Sequence, residues 1–179
     1  MNFWQRIFRL KKKQTQVNAT GRFNAIKMAK KTGTLVLVSP ATGQLRPIKE
    51  SHDEHYQAAN GIMLIPNGGN LMLPVSGIVS ESTTEKLMIT DGLDQSVTMS
   101  LVGQGEAARL ARYSAGQQLH AGDVVGTASQ KILAQNTEAV RIYVVWSEHQ
   151  VPKVRFGSVY AGQNIWQSED DFNDKQADD

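Results

Sequence analysis

The chain has 179 residues, a net charge of +2 and no cysteine. That length suits one domain with tails, and a domain of this size buries roughly two thirds of the surface of its unfolded chain. Without cysteine there are no disulfides, no thiolate nucleophile and no zinc–sulfur site, a composition that fits a reducing cytoplasm. No stretch approaches the ~20 apolar residues that span a bilayer.

Charge is distributed unevenly. Before Gly33 every ionisable side chain is basic, whereas residues 168–179 carry Glu169, Asp170, Asp171, Asp174, Asp178 and Asp179 against a single lysine, Lys175. This predicts a basic arm, a near-neutral body over 33–167 and a solvated, disordered acidic tail over 168–179.

In chain order, residues 1–13 hold Phe3, Trp4, Ile7, Phe8 and Leu10 interleaved with Arg6 and Arg9, followed by Lys11, Lys12 and Lys13. Helical winding gathers Phe3, Trp4, Ile7 and Phe8 on one face, which predicts an amphipathic segment lying in an anionic membrane surface. Residues 14–32 are polar and basic without a sustained period, as in a linker. Lys27, in Ala25-Ile26-Lys27-Met28, lacks the flanking strands that a biotinylated lysine needs.

From Gly33 the texture becomes β-prone. Strands are expected at 34–38, 62–65, 71–75, 77–79, 86–90, 97–102, 124–125, 140–146 and 154–160, with turns at Ser39–Gly43 and Pro66–Asn70 and a hairpin at Asp91-Gly92. Only Gly105–Ala115 has helical texture, with a helical turn expected near Glu106–Tyr113. Many short strands at regular spacing predict an all-β antiparallel sandwich rather than a Rossmann or TIM architecture.

Chemical motifs are sparse. His52-Asp53-Glu54-His55 clusters four titratable groups, but H-x-x-H is not a strong zinc spacing and a solvated loop explains it. His120 falls in a turn and His149 between strands. No G-x-S-x-G surrounds a serine, and Gly103-Gln104-Gly105 opens no helix from a parallel strand. No nucleic-acid-binding module is present, so no nucleic-acid partner is expected; neither is a metal or other cofactor.

Several segments, in order, carry a resemblance. Ser39-Pro40-Ala41-Thr42-Gly43, Asp53 with Tyr56, Asn60-Gly61-Ile62 with Pro66, Leu73-Pro74-Val75-Ser76-Gly77, Ala115–Asp123 and Gly157–Gly162 together resemble the glucose-type IIA domain of the bacterial phosphotransferase system (PTS). The resemblance runs from about Thr34 to Ile165. It implies that family's antiparallel barrel-sandwich, the duplicated hybrid motif type.

The family passes phosphate through one histidine with a second beside it on a shallow apolar face. Here the matching positions are Thr83-Thr84-Glu85 and Ser100-Leu101-Val102. Imidazole can attack phosphorus and leave again near neutral pH, whereas leucine and valine can do neither. A carboxylate at Glu85 repels incoming phosphate. Thr83, Glu85, Ser100, Leu101 and Val102 are therefore expected to form a docking face without phosphotransfer.

The resemblance thus implies a regulatory or docking module with PTS or transport proteins as partners, cytoplasmic and peripheral to the inner face of the cell membrane. One alternative is a working phosphocarrier using His55 or His120; another is a sandwich that binds a small ligand or carbohydrate.

Overall fold

A computed structural model describes residues 36–148 and 152–167. The chain divides into two units, Met1–Thr34 and Leu35–Asp179. The arm over residues 1–13, the linker over 14–32 and the tail over 168–179 lie outside the described residues, as does His149.

Ten strands are described: β1 (Thr42–Pro47), β2 (Gly61–Met72), β3 (Gly77–Ser82), β4 (Lys86–Asp91), β5 (Ser96–Gly103), β6 (Ala108–Leu110), β7 (Gln118–Leu119), β8 (Val124–Ala128), β9 (Val140–Trp146) and β10 (Gly157–Val159). The main sheet runs β10-β1-β2-β9-β5-β4-β3-β7, and β2 also pairs with β8, which pairs with β6. Every named strand pair is antiparallel. The fold is an all-β antiparallel sandwich.

The link between the sheets is β2. Its first part pairs with β1 and β9, whereas Gly69–Met72 pairs with β8. At the crossing point Gly68 and Gly69 take φ of +121° and +93°, a region that favours glycine. The turn expected at Pro66–Asn70 is therefore not a reversal. The chain bends there and continues as a strand into the second sheet.

Alternation builds the core. In β5, Val97, Met99 and Leu101 are buried, and in β9 so are Val140, Ile142, Val144 and Trp146. They join one cluster with Leu71, Leu110, Val125 and Ala128 from the smaller sheet. Burying each such aliphatic side chain contributes roughly 1.5–3 kcal/mol.

Tyr143 points to the other side of β9 yet is also buried. There Ile48, from a 3-10 turn (Ile48–Glu50), and Tyr56, from the one-turn helix α1 (Glu54–Gln57), pack over Met63 and Tyr143. Asp53 caps α1 by accepting the His55 N–H at 3.0 Å. The 52–55 histidine and carboxylate cluster thus belongs to a capped turn on the sheet's outer face.

Two further local expectations are corrected. Residues 106–113 form no helix: Ala108–Leu110 pairs with Gly126–Ala128 as β6. Leu110 N–H donates to Thr84 O and Ala111 N–H to Val125 O, and Ala108 and Leu110 are buried while Arg109 is exposed. That period-two burial overrides the helix propensity of alanine and arginine. A second short helix, α2 (Gln130–Gln135), buries Leu133 where no helix was expected.

At 36–38 the expected strand is reduced to a bridge between Val38 and Asn164. Its backbone bonds divide between Pro74 and Ile165, so no ladder forms.

Candidate functional site

The site is built on a tight turn between β3 and β4. Thr83 N–H donates to Lys86 O at 2.7 Å, and the Thr83 hydroxyl accepts the N–H groups of Lys86 (2.9 Å) and Glu85 (3.2 Å). The hydroxyl thereby holds the turn, as threonine side chains do where a backbone donor needs a local partner. Two carbonyls of the turn reach sideways: Thr84 O accepts from Leu110 N in β6, and Glu85 O accepts from Leu101 N in β5, each at 2.7 Å. The turn is thus pinned between both sheets.

These bonds set Glu85 against Leu101. The two residues line a shallow depression of about 50 Å³ together with Gly103, Gln104, Gly105, Ala108 and Val140. Leu101 is only 7 % exposed and belongs to the main core, so its side chain forms the floor. Glu85 is exposed at the rim. A Cβ added at Gly105 would lie 3.9 Å from Glu85 Oε1, so the carboxylate has open space on that side.

The adjacent cation is engaged elsewhere: Lys86 Nζ lies 2.7 Å from the Glu81 carboxylate. Tyr113 N–H donates to Ser82 Oγ at 3.0 Å, just before the turn, and its phenol is pushed above its ordinary pKa by burial and, to a lesser degree, by the charge of Asp123.

Of the five expected docking residues, the structure brings Glu85 and Leu101 together and sets Thr83 in the same turn. It separates the others. Strand alternation sends Ser100 and Val102 to the opposite side of β5 from Leu101; Val102 packs against the Ile48–Met63–Tyr143 cluster. The five therefore do not share one face. Residue parity along a strand carries this information, since neighbours in sequence point to opposite sides.

Sequence reasoning missed Ala108 and Val140 as lining residues. Ala108 lies in the segment given a helix, and Val140 begins β9 as the register partner of Gly103 on the neighbouring strand.

No described histidine lines the depression. His52 and His55 lie at α1, and His120 is exposed in the turn before β8, with its Nδ1 3.7 Å from Asp123 Oδ2. Chemically the depression offers a carboxylate and backbone groups above an apolar floor. It contains no nitrogen nucleophile. Among the described residues no three His, Asp or Glu side chains are grouped to hold a metal ion.

The domain superposes on the glucose permease IIA of Mycoplasma capricolum with a TM-score of 0.62. The match covers 74 % of this chain and 94 % of that one, at 18 % sequence identity. No family model and no curated protein sequence matches the chain. The order of strands and the structural match together give this domain the fold of a glucose-type IIA domain.

Proposed function

We propose that the chain is a docking or regulatory module of sugar transport, built on a glucose-type IIA scaffold and unable to carry phosphate. One observation carries this reading. Glu85 and Leu101, which the sequence resemblance sets at the positions of the family's paired histidines, the second to within one residue, lie side by side in the depression, joined by the 2.7 Å bond from Leu101 N–H to Glu85 O. A buried aliphatic floor under an exposed carboxylate suits contact with a protein partner and opposes a phosphoryl group, because like charges repel in a partly desolvated site.

The test is incubation of the purified chain with phosphoenolpyruvate and the general PTS proteins, followed by mass spectrometry under conditions that preserve acid-labile phosphate. The expected result is no phosphoryl adduct. An adduct on His55 or His120 would instead establish a working phosphocarrier.

The proposal extends to the arm. Phe3, Trp4, Ile7, Phe8 and Leu10, with Arg6, Arg9, Lys11, Lys12 and Lys13, lie outside the described residues, and their sequence supports a peripheral tether at the inner face of the cell membrane. Each basic side chain near an anionic surface contributes about 1 kcal/mol, so the attachment is weak and salt-sensitive. Among the described residues no helix is long and apolar enough to cross a membrane. In vesicle sedimentation at low salt, the full chain should pellet with anionic vesicles and a version starting at Gly33 should not. Equal binding by the two would remove the tether.

A further inference from the structure

A larger groove, of about 580 Å³, shares no lining residue with the Glu85–Leu101 depression and runs along β1, β10 and the turn before β9. Its volume falls in the range of small-molecule sites, roughly 300–1,000 Å³. Its walls include Gln44, Arg46, Asn67, Glu138, Ser158 and Tyr160.

Three features narrow the ligand. First, both charges in the groove have partners: Arg46 Nη1 is 3.8 Å from Glu50 Oε2, and Glu138 Oε2 is 3.0 Å from Arg141 Nη2. The groove therefore favours neither an anion nor a cation.

Second, the remaining polar groups are neutral amides and hydroxyls that can both donate and accept. Ser158 already donates to Gln44 Oε1 at 3.1 Å, which fixes the orientation of that amide and leaves its N–H groups for a ligand.

Third, Tyr160 is 75 % exposed, an unusual position for a large aromatic ring. Its turn is rigidly held. Tyr160 N–H donates to Gln163 Oε1 at 2.9 Å, and Ala161 N–H donates to Thr42 Oγ1 at 3.0 Å. A ring carried on a held backbone at the edge of a groove can present its apolar face without rearrangement of the turn.

We infer that this groove binds a neutral polyhydroxylated ligand, a mono- or disaccharide, with one C–H face on the Tyr160 ring and its hydroxyls on Gln44, Asn67 and Ser158. The site is independent of the depression and of any phosphate chemistry, so the two readings stand or fall separately.

Titrating the full chain with glucose, maltose and cellobiose while following its amide proton–nitrogen NMR spectrum tests this. At least one sugar should produce saturable shifts at Gln44, Asn67 and Tyr160. Tyr160→Ala should weaken that binding about fivefold, as expected for loss of one aromatic contact. Because the ring is mostly exposed, the rest of the variant's spectrum should be unchanged, which shows that the domain still folds. The inference is overturned if none of the three sugars moves those amides, if the shifts map elsewhere, or if Tyr160→Ala binds as tightly as the parent. Inorganic phosphate moving the same amides at comparable concentration would overturn the assignment to a neutral ligand.

Discussion

Tyr143→Ala should destabilise the domain by about 4 kcal/mol, the middle of the range for removing a buried aromatic side chain. Tyr143 is 1 % exposed. Its ring stacks on Tyr56 at a centroid distance of 3.7 Å with the planes 8° apart, and its hydroxyl shares a 2.8 Å hydrogen bond with Ser51 Oγ. The cluster around it is small, with Ile48 and Met63 as its other buried members, so no large reservoir of side chains can collapse into the void. The 48–57 segment then loses its main contact with the sheet.

Tyr143→Phe separates the hydrogen bond from the packing and should cost only about 1 kcal/mol. Ser51 Oγ still accepts Asp53 N–H at 3.0 Å, so it is not left wholly without a partner. Denaturant unfolding of the two variants measures both values. A loss below about 1 kcal/mol for Tyr143→Ala would mean that the outer cluster contributes little to stability.

Gly103→Val should cost about 3 kcal/mol or more, while Gly105→Ala, two residues away, stays within roughly 0.5 kcal/mol of the parent. At Gly103 φ is +137°, and an added Cβ would lie 2.2 Å from Ala139 O and 2.9 Å from Val140 Cα. Both obstacles are backbone and cannot rotate aside. Relief requires β5 to separate from the start of β9, which also opens the floor of the depression. At Gly105 the nearest atom is the end of the flexible Glu85 side chain at 3.9 Å, an ordinary contact. Thermal unfolding of the pair checks the contrast; similar midpoints for both variants would contradict the close strand approach at Gly103.

Where local signals agree with burial, the sequence is a good guide to this fold. Val140–Trp146 is recovered to the residue as β9, and the Asp91-Gly92 signal marks the β4–β5 hairpin, where Asp91 Oδ1 accepts the N–H groups of Leu93 and Gln95. The misreadings arise where tertiary context decides. Nothing local distinguishes a glycine pair that reverses a chain from one that lets β2 pass between sheets. Likewise, Glu106-Ala-Ala-Arg-Leu-Ala-Arg has helix-forming residues but occupies a three-residue edge pairing.

The candidate site divides in the same way. The closeness of Glu85 and Leu101 is legible through the family pattern. The outward placement of Ser100 and Val102 is legible through strand parity. By contrast, Ala108 and Val140 converge only through β5, β6 and β9 folding around the turn at Thr83.

The passage of β2 through both sheets bears on how the domain opens. A sandwich made from two self-contained sheets can lose one while the other persists. Here the smaller sheet has no such autonomy, because β8 and β6 are anchored to the same strand that pairs with β1 and β9. Any fluctuation that frees Gly61–Met72 exposes backbone amides on both sides of the core together. Slow amide exchange should therefore report a single cooperative opening across β2, β8 and β9.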